Sequence, residues 1–179
     1  IEGVERVVIA AIGVGDVTSC LESLEAMPQV DSAMRISVPY KFVSKEFKRE
    51  RTRIKLSNCE IGGDRFVVMA GPCSVETEKQ IMESAESVAA NGAQVLRGGA
   101  FKPRTSPYDF QGLEAEGLKL LRKAGDAFGL SVITEVMSDR DVSLVAEYTD
   151  ILQIGARNMQ NFSLLKTLGK AGRPVLLKR

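Results

Sequence analysis

From Phe66 onward the chain alternates short apolar runs with amphipathic stretches, and this alternation limits the possible folds more than any other feature of the sequence. Phe66–Ala70 is a continuous apolar run, the kind of strand that a parallel sheet buries on both faces. Residues 77–91 place Ile81, Met82, Ala85, Val88 and Ala89 on one helical face. Further strands are expected at 94–96, 131–134, 151–154 and 175–177. Between them the spacing predicts a helix over 112–128 with Leu113, Leu120, Leu121, Ala124 and Phe128 inward. A second is capped by Asp139, with Val142, Val145 and Ala146 on its face, and a third spans 161–171 with Phe162, Leu165 and Leu168 inward. Repeated βα units joined by short loops require a parallel sheet. An open doubly wound sheet and the first part of a (β/α)8 barrel both fit. No GxGxxG follows the first strand, which weakens the dinucleotide-binding version of the former. Five strands fill only part of a barrel, which takes about 250 residues when whole.

The segment before Phe66 differs in character. Residues 6–14 and 30–38 read as strands, and between them Asp16 or Thr18 can cap a short helix to about Met27. That β-α-β over residues 1–45 is half of a ferredoxin-like domain. Residues 41–55 carry a basic run, read as a solvated segment in preference to an anion-binding stripe, and residues 46–65 are expected to form a basic linker and a hairpin with Gly62-Gly63-Asp64 as its turn. Ile1 stands where an initiator Met would, and the last apolar run ends almost at the terminus, so the expectation is a piece of a longer protein.

Composition then excludes several classes of function. Across 179 residues the net charge is +1, which gives no reason to expect nucleic acid or a membrane as partner. No apolar run approaches the roughly 18 residues of a membrane span. Three cysteines without a CxxC indicate neither a disulfide framework nor a zinc finger, and suggest a reduced, cytoplasmic compartment. With no histidine in the chain, Ser–His and Cys–His catalysis and His-ligated metals are excluded within these residues.

In either architecture ligands sit at the carboxyl ends of the strands. The residues expected there include Arg97, Lys102, Arg104, Arg157, Lys178 and Arg179, six cations converging on one rim. Guanidinium forks bind phosphate and carboxylate bidentately, and lysine adds a compact charge. Gly98, Gly99 and Gly155 let backbone N–H groups approach an anion. The pattern points to a multiply anionic, phosphorylated small molecule. Cys73, after Gly71-Pro72 at a strand exit, is either a small buried hydrophobe or a thiolate stabilised by the cations. Glu135 is either a proton or water contact at the rim or a partner to lysine and arginine. Cys20 and Cys59 are expected to be structural.

Five segments are familiar: Ala70-Gly-Pro-Cys-Ser-Val-Glu76, Leu96-Arg-Gly-Gly-Ala-Phe-Lys-Pro-Arg-Thr-Ser-Pro-Tyr108, Phe110-Gln-Gly-Leu113, Gln153-Ile-Gly-Ala-Arg-Asn158 and Pro174-Val-Leu-Leu-Lys-Arg179. Together they closely resemble 3-deoxy-D-arabino-heptulosonate 7-phosphate (DAHP) synthase, in the subgroup with an N-terminal ferredoxin-like regulatory domain. The sister family, 3-deoxy-D-manno-octulosonate 8-phosphate synthase, typically has Lys-Ala-Asn-Arg-Ser where this chain has Lys102-Pro-Arg-Thr-Ser106.

The resemblance implies condensation of phosphoenolpyruvate with erythrose 4-phosphate, the first step of the shikimate pathway. It implies that Arg97, Lys102, Arg157 and Lys178 contact phosphoenolpyruvate, with backbone contacts from Gly155 and Ala156 and with Arg179 beside them. Lys102, Pro103, Arg104 and Thr105 would line the erythrose 4-phosphate side, and Glu135 would order a water near the new carbon centre. Cys73 would be one ligand of a divalent ion of the Mn, Fe, Co or Zn class, its partners a His, a Glu and an Asp from later strands. Residues 66–179 would then be the N-terminal part of a TIM-barrel catalytic domain, in a homo-oligomer (a tetramer for the whole enzyme) open to an aromatic amino acid effector. With one metal ligand, this chain alone is expected to be inactive. The rival readings are a Schiff-base aldolase using Lys178 and a non-catalytic fragment that binds phosphorylated ligands or pairs with other subunits.

Overall fold

The computed structural model describes residues 7, 9, 16–35, 40, 43–45, 48–106 and 108–179. They fall into two units, Ile1–Arg51 and Thr52–Arg179. In the first, helix α1 (Val17–Glu25) starts at Asp16, whose carboxylate accepts the Thr18 N–H at 3.0 Å. This satisfies one of the donors that every helix start leaves open. The strand expected over 6–14 lies almost wholly outside the described residues. The one expected over 30–38 does not form over 30–35: Val30 closes a turn onto Met27, and the Ala33 N–H bonds the Glu25 side chain at 3.4 Å instead of a neighbouring strand. Residues 36–39 lie outside the described set.

The second unit opens with a hairpin of β1 (Ile54–Lys55) and β2 (Glu60–Ile61), in which Ile54 faces Ile61. Its turn is not Gly62-Gly63-Asp64, which follows the hairpin, but the tight loop in which the Leu56 N–H bonds the Cys59 carbonyl at 2.8 Å. Asn58 at the tip explains the choice. Its amide donates to the carbonyls of Gln94 (2.7 Å) and Gly129 (2.9 Å) and accepts from the Ser131 hydroxyl (2.7 Å).

Those bonds seat the hairpin against a five-stranded parallel sheet of β3 (Met69–Ala70), β4 (Val95–Arg97), β5 (Ser131–Glu135), β6 (Ile151–Ile154) and β7 (Val175–Leu177). The strands lie side by side in chain order. A doubly wound sheet reverses its order at a switch point, whereas a β/α barrel does not, so the alternative left open by the sequence is resolved toward the barrel arrangement. The connecting helices are α2 (Glu78–Ala90), α3 (Glu114–Ala127), α4 (Val142–Tyr148) and α5 (Phe162–Leu168). Among the described residues no helix is long and apolar enough to cross a membrane.

Strand alternation divides the core. Leu96, Val132, Leu152 and Ile154 pack under the helices with Ile81, Leu118, Leu121, Val145, Leu164 and Leu168. Val95, Ile133 and Ile151, from alternate positions, form a separate inner layer closed by Leu56, Cys59 and Ile61 of the hairpin and by Val67 and Met69. Burial pushes the Cys59 thiol above its ordinary value, in keeping with a packing role, whereas Cys20 is exposed on α1.

Three expected details differ. The strand at 66–70 is not buried on both faces: Phe66 is 89% exposed, and only Met69–Ala70 pairs with β4. Asp139 does not cap a helix. It lies inside a 3₁₀ turn (Asp139–Asp141) that Ser138 caps and α4 continues. Phe162 points outward, because Asn161 caps α5 and sets Leu164 and Leu168 one turn apart on the buried side.

The hairpin's hold on the sheet is testable. Asn58→Ala removes three side-chain hydrogen bonds at a part-exposed position and is expected to cost about 1–2 kcal/mol. The check is a lowered urea midpoint with an unchanged denaturant slope.

Candidate functional site

The two faces of the sheet dictate which side chains meet. Val95, Ile133 and Ile151 face the inner layer. Two residues further along the same strands, Arg97, Glu135 and Gln153 share that face at the carboxyl ends. On β7 the register pairs Leu177 with Ile154, and the Lys178 N–H extends the ladder to the Ile154 carbonyl at 2.9 Å. Lys178 therefore falls in step with the inner face, at the exposed end of the strand.

The loop after β3 and the loop after β4 meet at Cys73. Lys102, only 9% exposed, brings its Nζ to 2.8 Å from the Cys73 carbonyl and 3.2 Å from its Sγ. One Arg97 guanidinium nitrogen donates to the carbonyls of Pro72 (3.1 Å) and Cys73 (3.2 Å). The side chain of Lys102 lies where a Cβ on Gly99 would be, 2.8 Å from Lys102 Cδ and 2.7 Å from the Cys73 carbonyl oxygen, so glycine is required at 99. The same segment is gripped from beneath by Thr134, fully buried, whose hydroxyl donates to the Gly98 carbonyl at 2.5 Å and accepts the Ala100 N–H at 3.2 Å.

Beyond Lys102 the loop is closed on itself. The Lys102 N–H bonds the Gln111 carbonyl at 2.8 Å, Arg104 Nε bonds the Phe110 carbonyl at 3.1 Å, and the Gln111 amide spans the carbonyls of Ser106 and Asp109. Arg104 and Thr105 are exposed on it. Arg157, in the 3₁₀ turn Ala156–Asn158 that follows Gly155, donates to the Pro103 carbonyl at 3.1 Å and joins the exit of β6 to the loop after β4. Arg179 is exposed next to Lys178.

Among the described residues, none of Arg97, Lys102, Arg104, Arg157, Lys178 and Arg179 ion-pairs with a carboxylate, whereas Arg53, Lys79, Lys119, Arg122 and Lys123 elsewhere do. A buried ammonium held only by a carbonyl and a sulfur is an incomplete arrangement that an anion completes. The Lys102 ammonium, and after it Arg97, holds the Cys73 thiol below its ordinary value. Glu135, 8% exposed, is bonded by the Gln153 amide at 3.3 Å, and no lysine or arginine pairs with it among the described residues. Gln153, Thr134 and Gln111 were not singled out from sequence. The one available signal was a glutamine in the otherwise apolar run Ile151-Leu-Gln-Ile154.

The fold and the rim define a class: a parallel β/α protein of barrel order with a cluster of cations at its strand ends. Residues 46–179 match the DAHP synthetase I family. Over 178 residues the chain is 50% identical to the phospho-2-dehydro-3-deoxyheptonate aldolase of Thermotoga maritima, covering 99% of this chain and 52% of that protein. The crystal structure of a Thermotoga maritima phospho-2-dehydro-3-deoxyheptonate aldolase (DAHP synthase) superimposes with a TM-score of 0.76 at 50% identity, covering 89% of this chain and 46% of that one. A 2-dehydro-3-deoxyphosphooctonate aldolase of Rickettsia typhi is 34% identical over 134 residues, 70% of this chain and 49% of that protein. The chain spans about half the length of the curated relatives it matches. It belongs to the DAHP synthetase I family.

The Cys73 environment yields a direct test. A lowered thiol pKa leaves more thiolate at neutral pH, so with chelator present Cys73 is expected to alkylate faster at pH 7 than Cys59 or Cys20. Lys102→Met removes the first cause of the shift, so the midpoint of the pH–rate curve should rise and the rate at pH 7 should fall. Peptide mass spectrometry of iodoacetamide-treated protein reads both.

Proposed function

We propose that this chain carries the phosphoenolpyruvate-binding half of a DAHP synthase site. The reaction joins phosphoenolpyruvate to erythrose 4-phosphate, consumes water and releases DAHP and inorganic phosphate. The observation that carries the reading is the meeting of Arg97 and buried Lys102 at Cys73 with no carboxylate beside either among the described residues. Family membership and the name of the Thermotoga maritima relative support the substrate pair.

Phosphoenolpyruvate carries a phosphate and a carboxylate on a short, rigid frame. Arg97, Lys102, Arg157 and Lys178 surround it with fixed positive charge, and Gly155 and Ala156 offer backbone at its phosphate. Pro103, Arg104 and Thr105, on the closed loop after β4, line the acceptor side, with Arg179 at the outer rim. Held in this way, C3 of the enol forms a bond to the aldehyde carbon, and the aldehyde oxygen takes up a proton. Water adds at C2, from which phosphate leaves. Fixing both phosphorylated molecules by preplaced cations supplies orientation and offsets their mutual repulsion. Glu135 orders the water or takes its proton at the new centre.

When bound, a divalent ion of the Mn, Fe, Co or Zn class would polarise the aldehyde, and the Cys73 thiolate is a donor suited to it. No group of three or more His, Cys, Asp or Glu converges among the described residues. Those residues therefore supply a single donor and do not by themselves fit a metal site, so the roles assigned above rest on the cations and the carboxylate alone.

The test is turnover by the protein expressed from its complete gene, given Mn²⁺ and both substrates and followed by enol absorbance and phosphate release. Phosphate release that needs erythrose 4-phosphate, with arabinose 5-phosphate a poorer acceptor, is the expected outcome. Arg97→Ala should lower kcat/KM about 10²–10³-fold. No phosphate release with both substrates present would overturn the proposal.

A further inference from the structure

Strand β6 is buried along its whole length, and three of its four residues are apolar. The fourth, Gln153, is 3% exposed. A primary amide in that setting costs free energy unless it is bonded. Its partner is not backbone but the carboxylate directly opposite on the neighbouring strand: the register pairs Glu135 with Gln153, and Gln153 Nε2 donates to Glu135 Oε2 at 3.3 Å. Both residues share the inner face, two positions beyond Ile133 and Ile151.

The other carboxylate oxygen is fixed by an absence of atoms. A Cβ on Gly155 would overlap Glu135 Oε1, so only glycine leaves that space free. One oxygen is thus held by an amide and the other fits a backbone slot, both supplied by β6 and its exit. Among the described residues no cation neutralises the carboxylate, so the arrangement orients a charge without cancelling it.

We propose that Gln153 is a positioning residue, holding Glu135 in the attitude in which its carboxylate acts on the water or proton at the new carbon centre. This inference rests on the reaction proposed above. A carboxylate serving that step has to sit within about 0.5 Å of its working position, which one well-placed partner can secure in a buried site. Because Gln153 acts through Glu135, its removal bears on the chemical step and not on capture of the phosphorylated substrates.

The test uses Gln153→Met, which keeps the length of the side chain and removes the donor, with Gln153→Leu as the second variant should the first fail to fold. Glu135→Gln and the double variant complete a cycle. Expected for Gln153→Met are a kcat about 10- to 100-fold lower and KM values for both substrates within about twofold of native. In the Glu135→Gln background the same substitution should cause no further loss. Native kcat in Gln153→Met, or losses that multiply in the double variant, would overturn the inference. If the native protein turns over neither substrate, the functional proposal fails by itself, and a crystal structure of Gln153→Met decides the positioning role. A carboxylate moved by more than about 0.5 Å from its place beside Gly155 supports it, and a superimposable one overturns it.

Discussion

Parallel pairing sets Arg97 against Ile133 and Glu135 against Gln153, and because side chains alternate strictly along a strand this register decides what reaches the rim. Val95, Ile133 and Ile151 need an apolar layer, which the hairpin completes; Leu96, Val132 and Leu152 need the helices. Both demands agree on one register. A slip of one residue on β5 would turn Glu135 toward the helices and Thr134 inward, breaking the Thr134 grip on Gly98 and Ala100 as well as the pair with Gln153. Packing energy at the middle of the sheet is therefore what aims the polar groups at its end.

The rim shows how a fold can hold a charge ready. Lys102 is drawn out of water along the gap left by Gly99 and finds a carbonyl and a sulfur, both weaker partners for an ammonium than a carboxylate. Arg97 is likewise spent on carbonyls. These bonds hold the cations in place while leaving their charge uncancelled by a carboxylate among the described residues. The same geometry stabilises the Cys73 thiolate, so the cluster of positive charge also prepares a soft donor.

Much of this was legible in the residues. The 3.6-residue and continuous apolar patterns place the five strands of the parallel sheet and the four helices packed on it to within a few positions, and the cations follow from reading past each strand end. What differs depends on partners distant in sequence or on a cap that chooses between registers. Gly62-Gly63-Asp64 has the stronger turn composition, but the hairpin folds at Leu56–Cys59 because Asn58 bonds Gln94, Gly129 and Ser131, contacts no local window contains. The expected inward set Phe162, Leu165 and Leu168 is one helical register of that short segment. The cap at Asn161 selects the one that buries Leu164 and Leu168. Glu135 was found by its position at a strand end, but its partner could not be, since pairing Glu135 with Gln153 requires the register.

That partner also shows why an amide, and not a cation, stands opposite the carboxylate. Arginine or lysine at 153 would satisfy Glu135 more strongly, but it would neutralise a negative group on a face that also carries Arg97 and is followed by Lys178. It would also add a further positive charge where the field already attracts anions. Glutamine donates a hydrogen bond, adds no charge and fills the strand position without disturbing the inner layer. The site proposed here, with two anions and a base at their junction, needs its cations and its carboxylate held apart. Among the described residues, the neutral amide at 153 and the bare backbone at 155 meet that requirement.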